Sequence, residues 1–258
     1  MSMEQKQSGA ARVMAVLDAL SSSDTSEFPE GMTVADVARS TGREKSVVSR
    51  QLKSLLESDL VTRDDAGRYE LSWRLFALAL RAGDQRLIRT AGPVMLRLTE
   101  TVRERTYLTV LSDGEVLTVH SESSRRSIEA VGWVGRTVPV NRSSSGMSLL
   151  LDHEDEHILD IVRRGKDGVT AREARDFLAH IHEARSRGYT VADRIFDVDL
   201  IGIGAPVRDY SGRIRAAVNI SGPALRIEPH VQVFAGHLLS AVQALQQPYS
   251  PTMAQFSA

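Results

Sequence analysis

The residues with the most to offer chemically lie between positions 39 and 53. Arg39, Arg43, Lys45, Arg50 and Lys53 stand there against one acid, Glu44, a local charge of +4 in a chain whose formal net charge is -1. If 44–58 is a helix, Val48, Leu52, Leu55 and Leu56 fall at i, i+4, i+7 and i+8 and turn inward. Lys45, Ser46, Ser49, Arg50 and Lys53 then share the outer face, because side chains three and four apart are neighbours. Cations and hydroxyls so arranged are donors for phosphate oxygens and base edges, the footprint of a helix that enters a DNA groove. In a helix-turn-helix the N-terminal part of the recognition helix meets the bases, so Lys45, Ser46 and Ser49 are the candidates for readout, and Arg50 for base or phosphate. Lys53 is a candidate phosphate contact, as are Thr33 and the turn arginines Arg63 and Arg68, with Arg43 in the same basic cluster.

Two further clusters carry chemistry. Ser143, Ser144, Ser145 and Gly146 offer small hydroxyls and backbone N–H groups at an expected helix start, where the dipole favours an anion or a carbonyl. That suits a small organic acid. His153-Glu154-Asp155-Glu156-His157 matches the H-E-x-x-H pattern of zinc hydrolases. Asp152, Asp155 and Glu156 crowd that segment, however, and carboxylates in a first helical turn already complement the dipole. A third ligand in Glu173 or His180 is demanded by no spacing. With no cysteine there is neither a disulfide framework nor a thiol nucleophile. No G-x-S-x-G elbow or phosphate-binding loop occurs, and Gly202-x-Gly204 is followed by Ala205-Pro206 rather than a helix, so no catalytic residue, metal or cofactor is expected.

The elements that position these groups are legible from periodicity. Val13, Val16, Leu17 and Leu20 mark one apolar helix face. Thr33 with Asp36 can cap a second short helix bearing Val34, Val37 and Ala38, which Gly42 ends. After the basic helix, 60–62 and 69–71 read as strands around the turn residues Asp64, Asp65, Ala66 and Gly67. Three helices and a hairpin make a winged helix-turn-helix. Helix formers fill 73–106, with Pro93 as the interior breaker. Strands are then expected at 107–111 and 116–120 around Asp113-Gly114, and a third at 128–134. Helices follow at 155–164 and 171–187, then a strand at 189–191, a hairpin of 203–208 with 213–220, and a last helix at 229–245. Trp133 reads as a core residue rather than a pocket wall.

The fold class is α+β: a DNA-binding domain at 1–82, a linker helix region at 83–105, a domain with an antiparallel sheet at 106–247 and a frayed tail at 248–258. A length of 258 residues fits two modest domains, and 42% hydrophobic with 25% charged residues excludes wholesale disorder. The first 85 residues hold 11 basic and 13 acidic groups and the remainder 21 and 20, so any nucleic-acid binding is local. The longest apolar run, 75–80, is far short of the ~20 residues that cross a bilayer. Nothing near the N-terminus resembles a signal peptide, so no membrane partner and a cytoplasmic location are expected.

These residues resemble a known family. The segment Gly31-Met32-Thr33-Val34-Ala35-Asp36-Val37-Ala38, then Lys45-Ser46-Val47-Val48-Ser49-Arg50-Gln51-Leu52 and Leu60-Val61, resembles the DNA-binding domain of the IclR family of bacterial transcriptional regulators. Pro139-Val140-Asn141-Arg142-Ser143-Ser144-Ser145-Gly146, Arg187-Gly188-Tyr189-Thr190, Ala205-Pro206-Val207 and Ala216-Ala217-Val218-Asn219-Ile220-Ser221-Gly222-Pro223 resemble its second domain. The resemblance covers about 8–245. It implies a GAF-like sensor domain, a homodimer or dimer of dimers, a double-stranded DNA operator and a small-molecule effector that alters operator binding, with repression the commoner mode. It places Ser144, Ser145, Ala192 or Asp193, Gly202, Asn219 and Ser221 at the effector, and the helix-start chemistry adds Ser143 and Gly146. The family's acidic pocket residue is Ala192 here, beside Asp193. Its cysteine is Gly202, its turn histidine Asn141 and its following lysine Met147. The small residues imply room for a ligand larger than a two- or three-carbon acid. The alternative readings are a metal-dependent hydrolase using His153, Glu154 and His157, and a small-molecule sensor that does not bind DNA.

Overall fold

The computed structural model describes residues 8–21, 31–79, 83–123, 133–165 and 168–246. Contacts divide the chain into two units that meet in sequence between Gln85 and Arg86. In the first, α1 (Gly9–Ser21), α2 (Val34–Thr41) and α3 (Lys45–Glu57) precede a two-stranded sheet of β1 (Val61–Arg63) and β2 (Tyr69–Leu71), and α4 (Trp73–Ala79) follows. Val16 and Leu20, Val37, Val48, Leu52 and Leu55, then Val61 and Tyr69, are buried together, so every element of the helix-turn-helix and wing gives one apolar face to one core. The turn between α2 and α3 is set by Gly42, whose φ of 65° is open to glycine at no steric cost; its N–H reaches Ala38 and Arg39 carbonyls. Periodicity did not reveal that Met32 exchanges both backbone hydrogen bonds with Tyr69, a third line of pairing that ties the wing to the start of α2.

The second unit is built on one antiparallel sheet. Its elements are α5 (Gln85–Val102), β3 (Arg105–Ser112), β4 (Glu115–Glu122), β5 (Thr137–Pro139), α6 (Ser144–Leu149), α7 (Asp155–Arg164), α8 (Ala171–Arg187), β6 (Thr190–Asp193), β7 (Leu200–Arg208), β8 (Ile214–Pro223), α9 (Ala224–Ile227) and α10 (Val231–Gln246). The strand order is β5-β4-β3-β8-β7-β6. One face packs on α5 and α10 through Leu108, Ile201, Ile203, Val218 and Ile220 against Met95, Leu98 and Leu238. The other face carries α6, α7 and α8 with Met147, Leu150, Ile158, Phe177 and Ile181. Alternation along β8 sends Ala216, Val218 and Ile220 one way and Ala217, Asn219 and Ser221 the other.

Several expectations move. The third strand, expected at 128–134, falls mostly outside the described residues, and the strand that pairs with β4 on the side away from β3 is β5. Pro93 does not break its helix: α5 runs through it, and its apolar stripe from Leu87 to Val102 belongs to the sheet core. The strand expected to begin at Tyr107 begins at Arg105. The polar segment after α1 lies mostly outside the described residues, and the tail from 248 wholly so. Among the described residues no helix is long and apolar enough to cross a membrane.

Among the described residues two helices begin with reciprocal caps, Thr33 with Asp36 and Thr170 with Glu173. The Thr33 hydroxyl, 2.6 Å from the carboxylate, holds Asp36 below its usual range, and Thr170 does the same for Glu173 through its backbone and hydroxyl. A carboxylate lowered in the folded state stabilises it above the unfolded pKa, and that contribution is lost as pH falls through the folded one. The thermal midpoint is therefore expected to drop on acidification from about pH 5 to pH 3. Thr33→Ala is expected to cost about 1 kcal/mol at neutral pH in denaturant titration. It also flattens the acid dependence, since Asp36 loses its first partner.

Candidate functional site

Two groups of side chains are brought together, one in each unit. On α3, burying Val48, Leu52 and Leu55 leaves Lys45, Ser46, Ser49, Arg50 and Lys53 exposed along one face. Arg50 folds back with Nε 3.3 Å from the Ser46 carbonyl, and Lys53 lies 4.0 Å from Glu57, a loose surface pair that leaves its ammonium in solvent. The other expected contacts are more committed. Arg43 reaches the Arg12 carbonyl of α1 at 3.3 Å. The hydroxyl of Thr33 caps α2 and donates to Asp36, so its proton is already used. Arg63 lies over the Tyr69 ring at 5.5 Å, and the backbone N–H of Arg68 is held by Asp64 at 2.7 Å. From β1 to β2 the wing sets Arg63 and Arg68 against Asp64, Asp65 and Glu70 and so brings no net positive charge, unlike α3.

In the second unit every residue of α6 is buried, from Ser144 to Leu149. Its serines do three different jobs. Ser143, the N-cap, accepts from the Gly146 N–H at 3.0 Å and so takes up one of the donors expected at the helix start. Ser144 lies against β7. Ser145 donates to Asn219 Oδ1 at 2.8 Å in the interior. Cross-strand register places Tyr107 opposite Asn219 and Asn219 opposite Gly204, with Arg105 opposite Ser221, Ser221 opposite Gly202 and Gly202 opposite Ala192. Asn219, Ser221 and Gly202 therefore share one face of the sheet with α6. Asp193, by contrast, is exposed and paired with Arg194 at 2.6 Å.

The glycines do not enlarge this site. A Cβ on Gly202 would stand 2.8 Å from Ser144 Oγ, and one on Gly204 2.7 Å from both the Ser144 carbonyl oxygen and Ser148 Oγ. Their bareness admits α6, not a larger ligand. Ala192 is buried in the core. Aromatic rings that the sequence did not assign to the site stand beside it instead. Trp133, read as core, belongs to no buried cluster and meets Tyr107 edge-on at 6.4 Å and Phe196 at 6.1 Å. Arg136 lies over Trp133 at 5.8 Å and Arg142 over Phe196 at 6.0 Å. Tyr107 could have been found by its alternation with Arg105 and by the pairing of β3 with β8; Phe196 had no local signal.

The H-E-x-x-H segment takes another form. His153 precedes α7, so its ring and that of His157, 4.9 Å apart, do not project from successive turns of one helix. Burial, reinforced by His157, lowers the His153 pKa. Asp155 is turned to His182 at 2.9 Å and to Arg185 at 3.5 Å. No cluster of three potential metal ligands occurs among the described residues.

Residues 81–247 match the family model described as the bacterial transcriptional regulator IclR C-terminal domain, and residues 9–65 match the IclR helix-turn-helix domain. The chain belongs to the IclR family. It is 26% identical over 213 residues to the HTH-type transcriptional repressor AllR of Escherichia coli (strain K12), covering 80% of this chain and 79% of that protein. The AllR repressor of Salmonella typhimurium (strain LT2) matches at the same identity, with 78% of its length covered. An IclR homolog from Microbacterium hydrocarbonoxydans, crystallised with 4-hydroxybenzoate, is similar with a TM-score of 0.72 and 27% identity over 93% of this chain and 98% of that one. The Thermotoga maritima IclR structure shares the fold, with a TM-score of 0.67, 19% identity and coverage of 92% and 96%. As an IclR regulator the chain is a ligand-responsive DNA-binding protein and not an enzyme.

The α6 packing can be probed directly. A Cβ at Gly146 would fall 1.9 Å from the Val140 carbonyl oxygen, a backbone atom that cannot yield locally. Gly146→Ala is expected to lower the thermal midpoint by several degrees, since displacing packed backbone costs about 1–3 kcal/mol or more. Gly202→Ala meets only the tip of Ser144 and is expected to cost less. A Gly202→Ala variant that melts below Gly146→Ala would contradict this ranking.

Proposed function

We propose that this chain is a transcriptional repressor that binds its operator as a dimer through α3 and is controlled by a small organic acid held on the sheet face beside α6. The observation that carries the DNA reading is the division of α3, with Val48, Leu52 and Leu55 buried and Lys45, Ser46, Ser49, Arg50 and Lys53 exposed. Lys45, Ser46 and Ser49, at the N-terminal end, read base edges. Arg50 swings from the Ser46 carbonyl to base or phosphate, and Lys53, Arg43, Arg63 and Arg68 contact phosphates. Thr33 contributes by fixing the start of α2 beside the backbone. Repression is supported by the AllR relatives.

Ser144, Ser145, Asn219 and Ser221, with Tyr107, Trp133 and Phe196, form the effector site in this reading. Ser143 and Gly146 hold α6 in place, Gly202 admits it, and Asp193 stands at the rim with Arg194. The 4-hydroxybenzoate in the Microbacterium protein supports an organic acid as ligand class. Two copies are needed to read two half-sites about one helical turn apart. The apolar face of α4 supports a contact between copies, since Trp73 is 82% and Phe76 55% exposed. A regulator that must reach the chromosome works in the cytoplasm.

Band shifts on upstream DNA test the operator reading. Arg50→Ala is expected to weaken specific binding by about 1–3 kcal/mol if it reads a guanine. Lys53→Ala is expected to weaken all sequences alike and to shallow the salt dependence by about one unit. A double variant at Arg50 and Lys53 that binds as tightly as the parent would reject this docking face. In sedimentation, Trp73→Glu with Phe76→Glu is expected to shift dimer towards monomer; an unchanged dimer would remove α4 from the interface.

A further inference from the structure

Strand β7 outruns its neighbour. β6 begins at Thr190, opposite Gly204, so residues 205–208 of β7 have no strand beside them on that side among the described residues. Pro206 suits such an edge because it has no N–H to leave unanswered. Gln246, at the end of α10, stands in for the missing strand by donating from Nε2 to the Pro206 carbonyl at 3.2 Å. Here, between the ends of α8 and α10, lies a cavity of about 400 Å³, within the roughly 300–1,000 Å³ of small-molecule sites. None of the residues assigned above to DNA or to the effector lines it.

The walls decide what fits. Leu151, Pro206 and Val242 are buried and give the cavity an apolar surface, with Leu239 beside them. Its two guanidiniums are already answered. Arg208 is held by both oxygens of Asp152, and Arg185 by the Leu151 and His153 carbonyls at 2.9 and 2.7 Å and by Asp155. Two cations thus face two carboxylates, so a charged guest must break a pair and a neutral one need not. The groups left over are carboxamides. Gln243 makes no hydrogen bond among the described residues, and the bond to Pro206 turns Gln246 so that Oε1 remains to accept. Three residues apart on α10, the two amides are neighbours on one helix face. A glutamine amide meets a planar edge bearing one donor beside one acceptor with two bonds, as it does an adenine edge in a DNA groove. An exocyclic amine next to a ring nitrogen completes the set: its two N–H groups serve Gln243 Oε1 and Gln246 Oε1, and the ring nitrogen accepts from Gln243 Nε2.

We infer that the cavity between α8, β7 and α10 is a second small-molecule site, and that it takes an uncharged, amino-substituted heterocycle of the nucleobase class. The ring lies on Leu151, Pro206, Leu239 and Val242, and the amino edge meets Gln243 and Gln246. The guanidinium planes of Arg185 and Arg208 can stack on such a ring without giving up their carboxylates. The site stands apart from the effector site proposed above and does not depend on it.

Calorimetry on the full chain with adenine, 6-dimethylaminopurine and purine-6-carboxylate tests it. Adenine is expected to bind at least about tenfold more tightly than the dimethylamino base, which keeps the ring and loses both N–H groups, and than the carboxylate, which brings a charge to the same edge. Gln243→Leu removes an exposed amide and is expected to melt as the parent does while weakening adenine by about tenfold or more. Asn219→Ala, outside the cavity, is expected to leave adenine binding unchanged. No binding of adenine, equal binding of adenine and the dimethylamino base, or adenine binding that survives Gln243→Leu overturns the inference. Adenine binding lost in Asn219→Ala but kept in Gln243→Leu puts the base in the effector site, which overturns the second site and leaves the effector reading standing.

Discussion

A six-residue helix buried on every side is the constraint on which the second unit depends. Residues 144–149 are all hidden, so each polar group in α6 must find its partner inside the protein. Thr190 supplies several. Its hydroxyl lies 2.7 Å from the Ser144 carbonyl and 2.8 Å from Ser148 Oγ, and 3.3 Å from the Gly204 carbonyl. Ser145 answers Asn219, and Ser143 answers the Gly146 N–H at the helix start. This network works only because the strand beneath is bare at Gly202 and Gly204 and the turn above passes Gly146 at contact distance. Small residues set the approach; hydroxyls satisfy what the approach buries.

The proposed effector site follows from that closeness. With Ser145 holding one end of Asn219, the amide presents donors to whatever lies beside it. The strand carrying Arg105 and Tyr107 begins three residues after α5 ends, and Glu104 between them is buried against Arg226 of α9, the helix that directly follows β8. Groups that would touch a ligand and the helix that opens the second unit are thus consecutive in the chain. In the first unit the logic is simpler. A helix with one apolar stripe must bury it, and the opposite stripe is then offered to solvent and, in an IclR regulator, to DNA.

How much of this was legible depends on the range of the signal. The helix-turn-helix was readable to within a residue or two, because apolar spacing, the Thr33–Asp36 cap and Gly42 act locally. The hairpin β7–β8 announced itself through Asp209 and Gly212. The start of β3 was missed by two residues, because Arg105 and Thr106 continue the run of helix formers before them. Trp133 was misread as core, since burial is a property of surroundings that a lone aromatic does not disclose. The small residues at 192 and 202 suggested room, yet Gly202 was empty only until α6 arrived to fill the space.

Periodicity, capping and local charge, all short-range properties of the chain, determined from the sequence alone that there is a winged helix-turn-helix, which face of α3 is cationic, and that an antiparallel α+β unit follows. Which hydroxyl caps, which packs and which is paired, and which aromatic and basic groups gather on one face of the sheet, only the tertiary structure decided. Those assignments depend on register between strands distant in sequence and on the distance of one buried helix from them, quantities set by packing across more than a hundred residues rather than by any neighbour along the chain.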